Sequence, residues 1–289
     1  MTKLLVIGAL AWDRPIRISG PLAPGARLVG RTLDGRLGGR LGGGGANAAV
    51  ALAKAGRAVA LASVVAGDAA ADAAFEDAEG AGVDLALVRR RPGETKTTLI
   101  FIDPAGERVV MGLDWEPKPL PELDPPARWP DLRPAGLFVR SAYPGAAAWA
   151  GACQGPVVLH WPAPGYEGRA DVVVASADDL SAEVLADPLA AARADLGEGV
   201  CHVVVTRGAH GAEAYGRDGI VRTPAPPAAV VDATGAGDIF AAGLLDALSA
   251  GAPMEAALAH ACAWGAAAVG LDSSAPLDAG PGAFRAFAA

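Results

Sequence analysis

The chain has 289 residues, 52% of them hydrophobic, which is enough to bury the core of one large α/β domain or two smaller ones and too much for a mainly disordered protein. A formal net charge of −8 lacks the positive footprint of a nucleic-acid binder, and no uninterrupted apolar run is long enough to span a membrane. Cys153, Cys201 and Cys262 have neither CxxC nor metal-ligand spacing, so they read as buried thiols in a reducing cytosol; a soluble, cytoplasmic protein is expected. The opening Met1–Leu10 carries one charge and a short apolar run, which suits a first strand better than a signal peptide. Strands are predicted at Leu4–Ile7, Val59–Ser63, Leu137–Val139, Val157–Leu159, Val172–Val174 and Val203–Thr206. Helices are predicted at Ala46–Ala55, Ala69–Gly80, Ala236–Ser249 and Met254–Val269. Short β-branched runs alternating with helical stretches predict a doubly wound, mostly parallel sheet. Ile16–Leu37 and Thr95–Met111 break the alternation with strand pieces and the turn signals Asp34-Gly35 and Asp103-Pro104-Ala105-Gly106, and predict a small β lid. The segment 114–134, with seven prolines among charged residues, predicts an irregular surface connection.

Two glycine-rich stretches carry the chemistry. In Asp232-Ala233-Thr234-Gly235-Ala236-Gly237-Asp238, Gly235 and Gly237 with Ala236 let main-chain N–H groups approach a ligand, and a helix starting there adds the positive end of its dipole. Asp238, in the first turn of that helix, stands beside this anion hole, where it can take a proton from a hydroxyl attacking a phosphoryl group. An isolated Asp-x-Thr-Gly would read as an ordinary capped helix; the full seven residues argue for the site. Gly38 to Val50 is a second glycine run feeding a helix, either a slack linker or a backbone that hugs a ligand. Its direct passage into Asn47 and an apolar helical pattern favours the ligand, and Asn47 offers a donor and an acceptor to sugar-like hydroxyls.

Together these stretches resemble the signatures of the ribokinase-like, or PfkB-type, carbohydrate kinases: Gly-Gly-x-x-x-Asn-x-Ala near the N-terminus, matched from Gly42 to Ala49, and Asp-x-Thr-Gly-Ala-Gly-Asp near the C-terminus, matched at 232–238. The resemblance spans nearly the whole chain and implies one ribokinase-like α/β unit over 1–289, with a lid from about 14–37 and 95–113 inserted in it. It implies an ATP-dependent kinase acting on a hydroxymethyl group of a sugar or sugar-like molecule, with Mg²⁺, K⁺ as a further ion, and a homodimer through the lid. Residue by residue it implies sugar contacts for Asp13, Gly42, Gly43 and Asn47. It puts Thr206, Gly208 and Gly211 along the nucleotide phosphates and ribose, and His260 beside the adenine; alone, these would read as a β-turn and a packed core histidine. Asp232 and Thr234, helped by Ser273-Ser274, are implied as oxygen donors to a monovalent cation.

Departures narrow the reading. The family's Asn-x-x-Glu after a strand, which organises Mg²⁺, is here Ser176-Ala177-Asp178-Asp179, leaving Ser176 and Asp179 as shorter metal-site candidates. The lysine common after the first Gly-Gly in ribose-specific members is Gly44. Arg140, at a strand carboxyl end, is either a surface arginine paired with a nearby acid or a fork for a carboxylate or phosphate of the substrate. Gly25 to Thr32 approaches a Walker A pattern without its lysine or a following helix, and Gly43-x-Gly45-x-x-Ala48 lacks the strand and acid of a dinucleotide site. The reading from a different class is a catalytically silent relative that binds a sugar or nucleotide as a sensor or partner protein.

Overall fold

The computed structural model describes residues 3–32, 36–104, 108–113, 133–280 and 282–288. Most of the expected proline-rich connection, the Asp34-Gly35 turn and part of the 103–106 turn lie outside them.

A nine-stranded sheet forms the centre. Its strands are β1 (Leu4–Ile7), β5 (Val59–Ala66), β6 (Asp84–Arg91), β9 (Gly136–Val139), β10 (Val157–His160), β11 (Val172–Ser176), β12 (His202–Thr206), β13 (Ala212–Gly216) and β14 (Gly219–Thr223), in the order β14-β13-β12-β11-β10-β9-β1-β5-β6. All pairs from β12 to β6 are parallel, and β13 and β14 close one edge as an antiparallel hairpin. β1 and β9 are apolar throughout, and β10 as far as its last residue, His160, because both faces are covered. One face carries Leu4 and Val6 against α1 (Gly44–Lys54), α2 (Ala69–Gly80), α6 (Ala236–Ser249) and α7 (Met254–Val269); the other carries Leu5 and Ile7 against α3 (Ala146–Ala152) and α5 (Pro188–Leu196). A further helix, α4, spans Ala182–Ala186. The doubly wound arrangement expected from the sequence is the arrangement found, but of the three cysteines expected to be buried, Cys201 is exposed because it lies in the turn before β12 rather than in the strand.

Local chemistry explains the helix limits. Asp68 starts α2 by accepting the Ala71 amide at 2.9 Å, and Pro253 precedes α7. The α6 and α7 helices pack closely because Gly243 presents no side chain: a Cβ there would lie 2.9 Å from the Trp264 ring.

A second, five-stranded sheet is built from β2 (Ala11–Ile18), β3 (Gly30–Thr32), β4 (Arg40–Gly42), β7 (Thr97–Ile102) and β8 (Arg108–Gly112). The two sequence stretches expected to form a small β lid are joined here, because β2 and β7 pair in parallel from Trp12↔Thr97 onward. Asp13 lies within β2, opposite Arg40 of β4.

Candidate active site

The carboxyl ends of β9 to β12 bring Arg140, His160, Ser176 and Thr206 to one edge of the main sheet. Chain order reverses between β1 and β9, and open α/β sheets hold their ligands at such a point. Here Arg140 is anchored by its own amide, which donates to the Ile7 carbonyl at 2.8 Å.

Asp238 occupies the first turn of α6, and its carboxylate has one donor for each oxygen. Arg140 Nε donates to Oδ1 at 2.5 Å, and Asn47 Nδ2 donates to Oδ2 at 3.0 Å. The two predicted glycine stretches and the strand-end arginine thus meet at one carboxylate. Close approach requires the glycines: a Cβ on Gly44 would sit 2.7 Å from both Arg140 Nε and Asp238 Oδ1, and one on Gly42 would overlap the Asp13 carboxylate. Gly235, the residue before α6, has φ of +79° and leaves no room for a Cβ beside Asn47 and the Ser274 carbonyl. Among the described residues, no protein acceptor takes the Gly237 or Asp238 amide, whereas the Ala236 amide turns to the Ala233 carbonyl at 3.3 Å. These are the orphan donors of a helix N-terminus.

Asp13 is 4% exposed; it accepts the Ser274 hydroxyl at 3.0 Å. Burial raises its carboxyl above the ordinary range, outweighing the Ser274 hydrogen bond and the nearby Arg40 charge. Asn47 is 3% exposed, and its Oδ1 has no partner among the described residues. Asp232 is buried; its Oδ2 accepts Arg40 Nη2 at 2.6 Å and its Oδ1 accepts the Thr234 amide at 2.8 Å. Burial opposes ionisation of Asp232, but the Thr234 and Arg40 hydrogen bonds prevail and hold its carboxyl below the usual value.

Ser176 caps the short turn Ala177–Asp179 by accepting the Asp178 amide at 3.3 Å, and Asp179 is exposed. Thr206 donates to the Ala175 carbonyl at 3.3 Å and leads into the Gly208–His210 turn, which Gly211 ends with φ of +92°. His260 is placed differently from expectation. It is held as a packed histidine: its Nε2 lies 3.1 Å from Asp246 Oδ2, and its ring packs against Trp264 and Phe287.

Two residues of the site escaped the sequence reading. His160 follows the end of the predicted strand 157–159; the strand-end rule that singled out Arg140 applies to it equally. Burial, and then the Arg140 charge, lower its pKa to about 4, so it is neutral at pH 7. Arg40 escaped because its partners lie far away in sequence, at Asp232 and at the Asp272 carbonyl, with no local pattern to announce them.

The fold and the sequence family together define a phosphotransferase of the carbohydrate kinase class. A model of the pfkB family of carbohydrate kinases matches residues 1–143 and 166–277. The chain belongs to that family, whose members transfer phosphate to an alcohol group. Among solved structures, ribokinase from Thermotoga maritima is 21% identical, with 99% of this chain and 97% of that one covered and a TM-score of 0.74. Ribokinase from Arabidopsis thaliana, solved with ribose and ATP, is also 21% identical, with 96% and 95% covered and a TM-score of 0.75. A nucleoside kinase from Methanocaldococcus jannaschii is 20% identical, with 96% and 94% covered and a TM-score of 0.68. These likenesses show the fold. No curated protein matches the chain significantly. Among the described residues, no helix is long and apolar enough to cross a membrane.

Proposed function

We propose that the protein transfers the γ-phosphoryl group of ATP to a hydroxymethyl group of a sugar or sugar-like molecule, with Asp238 as general base. The observation that carries this reading is the Asp238 carboxylate, aimed by Arg140 and Asn47, beside two acceptor-free amides at a helix N-terminus. The carboxylate accepts the proton of the attacking hydroxyl, while the Gly237 and Asp238 amides stabilise charge building on the transferring group. Gly235 supplies the turn and Ala236 the first helical residue, its amide already engaged within that turn.

On the acceptor side, Asp13 and the unpartnered Asn47 Oδ1 receive sugar hydroxyl protons, and Gly42 and Gly43 let the backbone approach. Arg140 spends only Nε on Asp238, so its two terminal nitrogens are available to an acceptor that carries a carboxylate or phosphate. Thr206, Gly208 and Gly211 line the nucleotide phosphates and ribose; His260, committed to Asp246, has no part there.

The donor set suits Mg²⁺. Asp179 and Ser176 offer one carboxylate and one hydroxyl at the edge of the crevice, and the described residues contain no cluster of three ligands. That matches an ion which keeps several waters and rides on substrate phosphates. When bound, Mg²⁺ neutralises phosphate charge. Closure of the second sheet over the site excludes water and suppresses ATP hydrolysis. Val109, Val110 and Met111 of β8 are exposed on that sheet, which supports a homodimer through the lid. A cytoplasmic location belongs to the same reading.

A coupled assay of ADP release against pentoses, ketohexoses, sugar acids and nucleosides, with Asp238→Asn as control, tests the proposal. Acceptor-dependent turnover that vanishes in the variant is the expected result. Tight binding without turnover on any acceptor would instead identify a silent sensor.

A further inference from the structure

Arg40 leaves β4 and passes between two loops that are distant in sequence. Its Nη2 donates to Asp232 Oδ2 at 2.6 Å and its Nη1 donates to the Asp272 carbonyl at 2.8 Å. The arginine side chain is 16% exposed and its aspartate partner 9%, so the pair is held inside the molecule. Asp232 opens the stretch that ends at Asp238, and Asp272 belongs to the segment that also supplies Ser274 to Asp13. One guanidinium therefore ties the loop before α6 to the loop after α7, and its backbone is paired with the strand that carries Asp13.

A monovalent metal ion at Asp232 needs oxygen lone pairs directed at it. Here Oδ2 accepts from Arg40, Oδ1 accepts from the Thr234 amide and the Asp272 carbonyl accepts from Arg40 as well, so a metal ion on the remaining lone pairs, or on the unpartnered Thr234 Oγ1, would stand beside a fixed positive charge that already occupies the acceptors. The residues do not fit K⁺. They fit a planar cation with fixed fork geometry, which reaches two acceptors at once and carries its charge permanently.

We infer that Arg40 is a positioning residue that does the work of a bound monovalent cation at Asp232, so that nucleotide binding and turnover by this chain need no K⁺. The nucleotide-binding and turnover clauses rest on the kinase reading; the cation clause concerns the site itself. By bridging Asp232 and Asp272, Arg40 holds the turn that presents the Gly237 and Asp238 amides. A resident charge on β4 also makes this support independent of the ionic composition of the medium.

The test compares wild type, Arg40→Ala and Arg40→Lys in KCl and in choline chloride at matched ionic strength, reading thermal melting, Mg·ADP affinity and turnover. Wild type should behave alike in both salts. Arg40→Ala should lose about tenfold in Mg·ADP affinity in choline chloride and recover in KCl or with added guanidinium ion. Arg40→Lys, which keeps the charge but lacks the fork, should fall between them and ignore K⁺. Tighter nucleotide binding or higher melting of wild type in K⁺ would overturn the inference. So would an Arg40→Ala protein that is unaffected, or equally impaired in every salt. If Arg40→Ala does not fold, the wild-type salt comparison and Arg40→Lys decide. If wild type binds no nucleotide, the kinase reading fails while the melting comparison still tests the cation claim.

Discussion

Helix α6 carries two aspartates, each gripped by an arginine and a second donor, and only one of them reads as catalytic. Asp246 accepts Arg57 Nε at 2.5 Å, His260 Nε2 at 3.1 Å and the Phe287 amide at 2.7 Å, with its side chain fully buried. Both carboxylate oxygens there are engaged by the protein, Oδ2 twice, and the groups tie α6, α7, the turn after α1 and the C-terminal segment together. Asp238 has two donors, a 12% exposed side chain and neighbouring amides without acceptors. An ion pair therefore does not distinguish a working carboxylate from a structural one; the unsatisfied groups around it do. The same contrast explains His260, whose ring belongs to the saturated cluster.

The contrast breaks most visibly at Asp238. Asp238→Asn should lower turnover about a thousandfold while leaving Mg·ADP affinity near wild type, because a general base contributes on the order of 10²–10⁴ in rate. Steady-state kinetics beside calorimetry would show it. Asp246→Asn should do the reverse: turnover per folded molecule persists, and denaturant unfolding reports a loss of about 2 kcal/mol as charge-assisted hydrogen bonds weaken.

A smaller effect comes from crowding. Gly44→Ala forces Arg140 or Asp238 to move, and about a tenfold fall in kcat with little change in melting temperature is expected, since a small misplacement of catalytic groups is costly.

pH sharpens the comparison between buried acids. At Asp246, burial favours the protonated form, but hydrogen bonds from His260, the Phe287 amide and Arg57 outweigh it and lower the pKa. Its stabilisation is thus present above the ordinary carboxylate pKa of 3.8 and is lost as pH falls through the depressed folded value. Asp13 is shifted the other way, so its contribution is present at low pH and is lost as pH rises through its raised value, leaving a cost at pH 7. Asp13→Asn should therefore raise the melting temperature at pH 7 slightly, on the order of 2 °C, while raising the acceptor KM. An unchanged KM would remove Asp13 from the acceptor site.

The helices α2, α6 and α7 were legible to the residue because capping and punctuation sit at their ends, at Asp68 and Pro253. The strands β6, β13 and β14 were not. They lie at or next to the sheet edges and carry exposed or half-exposed polar residues such as Arg89, Arg90 and Arg222, so their apolar pattern is weak. In the site, Asp238, Asn47 and Arg140 announced themselves through glycine runs or strand ends. Arg40 did not, because long-range geometry alone gives a lone arginine after a glycine pair its partners.

The most direct test of the central claim is phosphorus NMR of the product formed from ATP and the acceptor the enzyme prefers. The account predicts a phosphomonoester coupled to the two protons of a CH₂ group, formed by wild type and absent with Asp238→Asn. Inorganic phosphate alone, or the same ester formed at an undiminished rate by the variant, would contradict it.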